Sequence, residues 1–208
     1  WPERGIDAHE SGGIFLEWVP NPEDNIKAYV IYRAERFNEN DSLGEYESIN
    51  HFEIVSNTPL EFIDTEIKMD TKYFYKLKAD NSSGNRSAFS DSLYYSLLPQ
   101  ISPNLMVPNG KLEALSPIRS LIWHYSYLLE MEDYCLTILT QSNDLVIRAV
   151  LSPVDYVNGS ESWQIPDSIY LDLNQIYKWR IDTNGDYFNN LETAGSESHW
   201  ASFLYSSH

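Results

Sequence analysis

The chain has 208 residues, with 31 Asp and Glu against 14 Lys and Arg and a formal net charge of −17. Its length suits two domains of roughly 100 residues each, and its acidity repels phosphate backbones and anionic surfaces, which sets nucleic acid aside as a ligand. The aromatic share is 14%, with 15 Tyr and 6 Trp, a composition that favours strands because bulky rings pack well on pleated surfaces.

The opening "WPERGIDA" lacks both an initiator Met and a basic region followed by an apolar one, so it reads as a mature or trimmed start. Any export signal or lipid-bearing cysteine would then lie upstream. No apolar run reaches the roughly 20 residues of a spanning helix. Short strand-like segments follow: "GIFLEWV", "IKAYVIYRAE", "LEFIDTE", "KYFYKLKAD" and "SLYYSLL". In the fourth, Tyr73, Tyr75, Leu77 and Ala79 alternate with Lys76, Lys78 and Asp80, the pattern of a strand with one buried face. The polar stretch from Asn81 through Ser82, Ser83 and Gly84 to Asn85 then supplies a turn.

"PQISPNLMVPNG" gathers three prolines and an Asn-Gly, where sheet hydrogen bonding lapses. The domain junction is expected near Pro99 to Pro103, giving domains 1–99 and 100–208. Beyond it come "RSLIWHYSY", "DYCLTILTQ", "DLVIRAVLS", "SIYLDL", "YKWRIDT" and "SHWASFLYS", again short strands at sandwich-like spacing, with nothing long and helical. The order repeats: Trp18 and Trp123 lie about 105 positions apart, Tyr73 and Tyr177 about 104, and each Tyr has an aliphatic residue, Ile67 or Leu171, six places before it. "SGNRSAFSD" corresponds to "AGSESHWAS", the second copy carrying a longer loop, "DTNGDYFNNLETA", before its glycine.

These landmarks resemble the fibronectin type III family, with its L-x-W strand, its tyrosine-rich strand and its L-x-P-x-T-x-Y entry to a later strand. Leu16 and Trp18, Tyr29 and Tyr32, and Ile67, Thr71, Tyr73 and Ala79 carry the likeness in the first half; Leu171, Tyr177, Trp179 and "GSES" carry it in the second. Met69 and Leu173 stand where that pattern has proline, and Gln175 where it has threonine. The resemblance covers nearly the whole chain and is similar to repeats in secreted and surface bacterial proteins. It implies an all-β fold of two immunoglobulin-like (fibronectin type III) β-sandwiches in tandem. In such a sandwich a Tyr near the start of a late strand sends its hydroxyl back upstream, and Tyr73 and Tyr177 are the candidates. Two residues on, where antibody domains keep a disulfide cysteine, stand Tyr75 and Trp179.

Candidate sites are few. A nucleophile elbow, a zinc helix, a P-loop and a dinucleotide fingerprint are all missing from the sequence, so catalytic residues and cofactors are expected to be none. His9, His51, His124, His199 and His208 fall in unrelated contexts, and carboxylate pairs such as Glu23 and Asp24 are what an acidic surface supplies by chance. The single Cys135 rules out an internal disulfide and suits a buried small hydrophobe. "DTNGD" sets Asp182, Asn184 and Asp186 at alternating positions like the start of a calcium loop, but Tyr187 and Thr193 stand where that loop needs Gly and Glu, and an Asn-Gly turn explains the same letters. Sequons at Asn40, Asn81, Asn85 and Asn158 fall in expected loops. Trp1, Trp163 and Trp200 have no obvious core position. Trp163, in the loop-like "NGSESWQIP", is the candidate exposed aromatic for a sugar or a partner, weighed against capping its own core.

The expectation is a noncatalytic extracellular, periplasmic or cell-surface module acting as spacer, scaffold or assembly subunit. Its partners would be other proteins, including copies of itself, bound through loops or exposed strand edges. The alternative is a ligand- or glycan-binding receptor-like ectodomain or an accessory module of a secreted enzyme. "ESHWA" resembles the W-S-x-W-S element of cytokine receptors, with Glu197 and Ala201 replacing two of its letters.

Overall fold

The computed structural model describes residues 5–36, 41–69, 71–108, 113–114, 119–125, 131–153, 160–185 and 194–206, with backbone alone at 113–114 and 131–132. The chain divides into two compact units, one holding Gly13–Leu97 and the strand before them, the other Leu98–His208.

The first unit contains β1 (Ile6–His9), β2 (Gly13–Glu17), β3 (Ile26–Arg36), β4 (Glu47–Glu53), β5 (Glu61–Asp64), β6 (Lys72–Asn81) and β7 (Leu93–Leu97). Strands β1, β2 and β5 form one antiparallel sheet in that order. The other runs β4-β3-β6-β7, also antiparallel. Alternation decides what lies between them: Tyr73, Tyr75 and Ala79 of β6 are buried, and the two tyrosines build the core with Ile14, Leu16 and Ile31.

The second unit contains β8 (Met106–Val107), β9 (Glu113–Ala114), β10 (Ser120–His124), β11 (Met131–Thr140), β12 (Leu145–Leu151), β13 (Ser160–Gln164), β14 (Gln175–Gly185), β15 (Ala194–Glu197) and β16 (Ala201–Tyr205). The three-and-four plan recurs. Strands β13, β10 and β8 make the smaller sheet, and β12-β11-β14 make the larger, with β15 and β16 both pairing β14. The last strand is thus split by a bend at Ser198–Trp200, and β9 adds a parallel pairing to β16. Trp123, Trp179, Tyr134 and Phe203 dominate this core. Each unit is therefore an immunoglobulin-like sandwich of the fibronectin type III kind, as the landmark residues led one to expect.

Some strands were not visible as strands in the sequence. β1 and β4 are short of apolar residues: β1 buries only Ile6 and Ala8, and β4 buries no residue fully. "SIYLDL" is not a strand. Pro166 opens a turn closed by the Ile169 amide, and the Asp172 amide is taken by the Tyr177 hydroxyl. The sheet position belongs instead to β13, in which Trp163 lies across from Leu121, so the segment expected to be a loop is a strand.

Candidate functional site

The tyrosines of the repeat do the same job twice. The Lys68 amide donates to the Tyr73 hydroxyl at 2.8 Å, and the Asp172 amide donates to the Tyr177 hydroxyl at 2.8 Å, each bond closing the loop five residues before its ring. Both rings are buried. The corner between the sheets is fixed in each unit.

Two residues further along β6 and β14 the units diverge. Tyr75 donates its hydroxyl to Asp64 at 2.9 Å, and one guanidinium nitrogen of Arg33 donates to both Asp64 oxygens, at 3.0 and 2.8 Å, and to the Glu66 carbonyl at 2.8 Å. Asp64, only 3% exposed, thus joins β5 to β3 and β6 across the sandwich. Burial, and then the Asp64 charge and hydrogen bond, push the Tyr75 hydroxyl well above its ordinary range. Burial works against the Arg33 charge, but Asp64 more than offsets it and holds the guanidinium above its ordinary value. In the second unit Trp179 fills the corresponding place, fully buried and without an ionisable group.

The outer faces carry cation–aromatic stacks. On β6, Lys76 and Lys78 flank Phe89 at 5.6 and 4.0 Å from its ring centre, and Phe89 meets Tyr32 edge-on at 4.9 Å. On β14, Lys178 and Arg180 lie 4.8 and 5.0 Å from the Trp200 ring centre, while Arg180 grips Glu197 with two hydrogen bonds. Ser87 and Ser198 accept from the Ala79 and Ile181 amides, anchoring the bends that present Phe89 and Trp200. Trp200 is a half-buried part of this stack. These stacks tie the bend to the sheet.

The remaining candidates have definite places. Trp163 is half-buried and packs against the second core. Asp182 sits on β14 with its carboxylate 3.0 Å from Arg180 Nε, and Asn184 follows on the same strand; Asp186, Tyr187 and Thr193 lie outside the described residues, as do Trp1, Asn40, Asn158 and His208. Among the described residues no group of three or more His, Cys, Asp or Glu is arranged to hold a metal ion. Cys135 is buried, and that burial, with Asp182 nearby, pushes its thiol up. Asn81 accepts from the Ser83 and Asn85 amides, shaping the loop that exposes Asn85. An apolar slot of about 300 Å³ opens in the first unit between Leu16, Trp18, Tyr75, Leu77 and Leu93.

What distinguishes the surface is its strand edges. Among the described residues β4 pairs only with β3, and β12 only with β11, so each leaves one row of backbone groups open. The β11–β12 hairpin is set by its turn: the Thr140 amide donates to the Asp144 carbonyl, Asn143 adopts φ 72°, and Ser142 donates to the Asp144 carboxylate at 2.6 Å. Both β4 and β12 span seven residues, but they differ in chemistry. β4 carries Glu47, His51 and Glu53; β12 carries Arg148 as its one charge, with Leu145 and Val150 each 60% exposed.

No known family profile matches the chain, and no curated protein sequence does. Among solved structures it is similar to the FN1-FN3 domains of chicken CNTN1, at 12% identity and a TM-score of 0.32, covering 97% of this chain and 66% of that one. It is also similar to a two fibronectin type-III domain segment from chicken tenascin, at 14% identity and a TM-score of 0.35, covering 95% and 93% of the two chains. At such TM-scores the strand order within each unit, rather than the superposition, defines the fold.

Proposed function

We propose that this chain is a noncatalytic extracellular or cell-surface module that works through protein–protein contact, as a spacer or assembly subunit of a larger protein or complex. The observation that carries the reading is a pair of open strand edges on the larger sheets, β4 and β12, each on a sandwich whose corner is pinned by a tyrosine. An open edge offers backbone hydrogen bonds to an added strand, and alternate side chains supply selectivity. A packed core in each unit suits a spacing role, and a net charge of −17 favours solubility for such a module.

The test is photo-crosslinking in the native host with a reactive residue at Val150 or at Ser48, combined with labelling by a membrane-impermeant reagent. Adducts to polypeptide and access to the label are expected. Absence of any protein adduct at both edges, or protection of the intact cells' chain from the label, overturns the reading.

A further inference from the structure

Resting on the reading of the open edges as contact surfaces, the chemistry of the two edges selects a partner. β12 is apolar: Ile147, Ala149 and Leu151 lie across β11 from the buried Ile138, Leu136 and Tyr134, while Arg148 and Val150 alternate with them toward the outer face. No carboxylate lies within ion-pair distance of Arg148 among the described residues. Two copies of β12 paired about Arg148 would set like charges opposite one another, which is destabilising.

β4 complements it. Phe52 lies across from the buried Tyr29, so His51 and Glu53, across from Val30 and Ala28, occupy the outer face. The Ile54 amide donates inward to the Lys27 carbonyl, so alternation turns the backbone groups of Glu53 and His51 outward, toward an incoming strand. An antiparallel register that puts Glu53 opposite Arg148 also puts His51 opposite Val150 and Phe52 opposite Ala149, keeping outer faces together and matching a large ring to a small side chain. Two copies of β4, each acidic at both ends, repel.

We propose that β4 of one copy of this chain pairs antiparallel with β12 of a second copy, Glu53 facing Arg148, in a head-to-tail contact. Each edge discourages its own kind and accepts the other. Because the two surfaces differ, a pair of copies keeps one unused β4 on one copy and one unused β12 on the other, and growth continues until a ring closes or a chain extends.

Charge exchange tests this on the whole chain, with sedimentation velocity and light scattering from low micromolar to near-millimolar concentration. Glu53 and Arg148 are both exposed, so Glu53→Lys and Arg148→Glu are expected to leave the thermal transition unchanged. Concentration-dependent association is expected for the natural chain. Each single variant is expected to weaken it about tenfold or more, by replacing an attractive cross-strand pair with a repulsive one. The double variant Glu53→Lys with Arg148→Glu is expected to recover it to within about threefold. A natural chain that stays monomeric throughout overturns the proposal, and so does association indifferent to the single variants or not restored by the double one. Those outcomes leave the broader contact-module reading standing, because that reading is judged by crosslinks at either edge and by access to the impermeant label in the host.

Discussion

The two sandwiches share a strand plan and a tyrosine corner, yet the place two residues beyond that corner is solved in opposite ways. The first unit uses a polar lock, Tyr75 and Arg33 converging on the buried Asp64; the second uses the fully buried Trp179. A ring of either kind fills the space between the sheets. The difference is what each design exposes to chemistry: the polar lock responds to charge and pH, whereas the indole does not titrate and acts chiefly through its volume.

The widest separation between the units is therefore expected from Trp179→Ala, which empties the second core and costs about 3 to 5 kcal/mol there. Strand-resolved hydrogen exchange on the whole chain checks it, with protection falling on β11 and β14 while β3 and β6 keep theirs. Asp64→Asn should act in the reverse sense, on the first unit alone. It leaves the Arg33 and Tyr75 groups without their anion, at about 2 to 3 kcal/mol, below a fully buried pair because the Arg33 side chain keeps 20% exposure. Exchange on β3, β5 and β6 reads that loss.

Alkaline titration sharpens the same contrast. The Tyr75 hydroxyl is held above its ordinary value of 10.0 in the folded state, so above about pH 10 the unfolded chain releases a proton that the folded chain retains. Stability contributed by Tyr75 is complete below that pH and declines as pH rises. The first unit is thus expected to lose protection before the second in a pH series from 9 to 11.5, and Tyr75→Phe is expected to flatten that part of the decline. The smallest and most symmetric effect is expected from Tyr73→Phe and Tyr177→Phe, each leaving one loop amide without its acceptor at about 1 to 3 kcal/mol. Chemical denaturation of the two variants checks that the losses are alike. A large inequality would break the claim that the corners are equivalent.

How far the sequence spoke follows from the physics of each signal. Tyr73, Tyr75 and Tyr177 were legible because alternation and a constant offset show in the letters, and the corner bonds need only a ring and a nearby amide. β13 was obscured because "SESWQ" has one large apolar residue, and its strand state comes from pairing with β10, a partner some 40 residues away. "SIYLDL" misled in the other direction: it alternates like a strand, but Pro166 and the bond from Asp172 to Tyr177 commit its backbone elsewhere. The Asp64 lock carried no local signal, since Arg33, Asp64 and Tyr75 are brought together only by the stacking of two sheets. The difference between the edges was written in "ESINHFE" and "DLVIRAVLS", but which strands end a sheet is a property of topology.

The most direct measurement is amide exchange on β4 and β12 of the natural chain as its concentration rises. Matched edges predict that protection of the outward amides of Glu53 and His51 grows together with that on β12, over the same concentration range. Protection that grows on β12 alone, or on neither strand, would contradict the account.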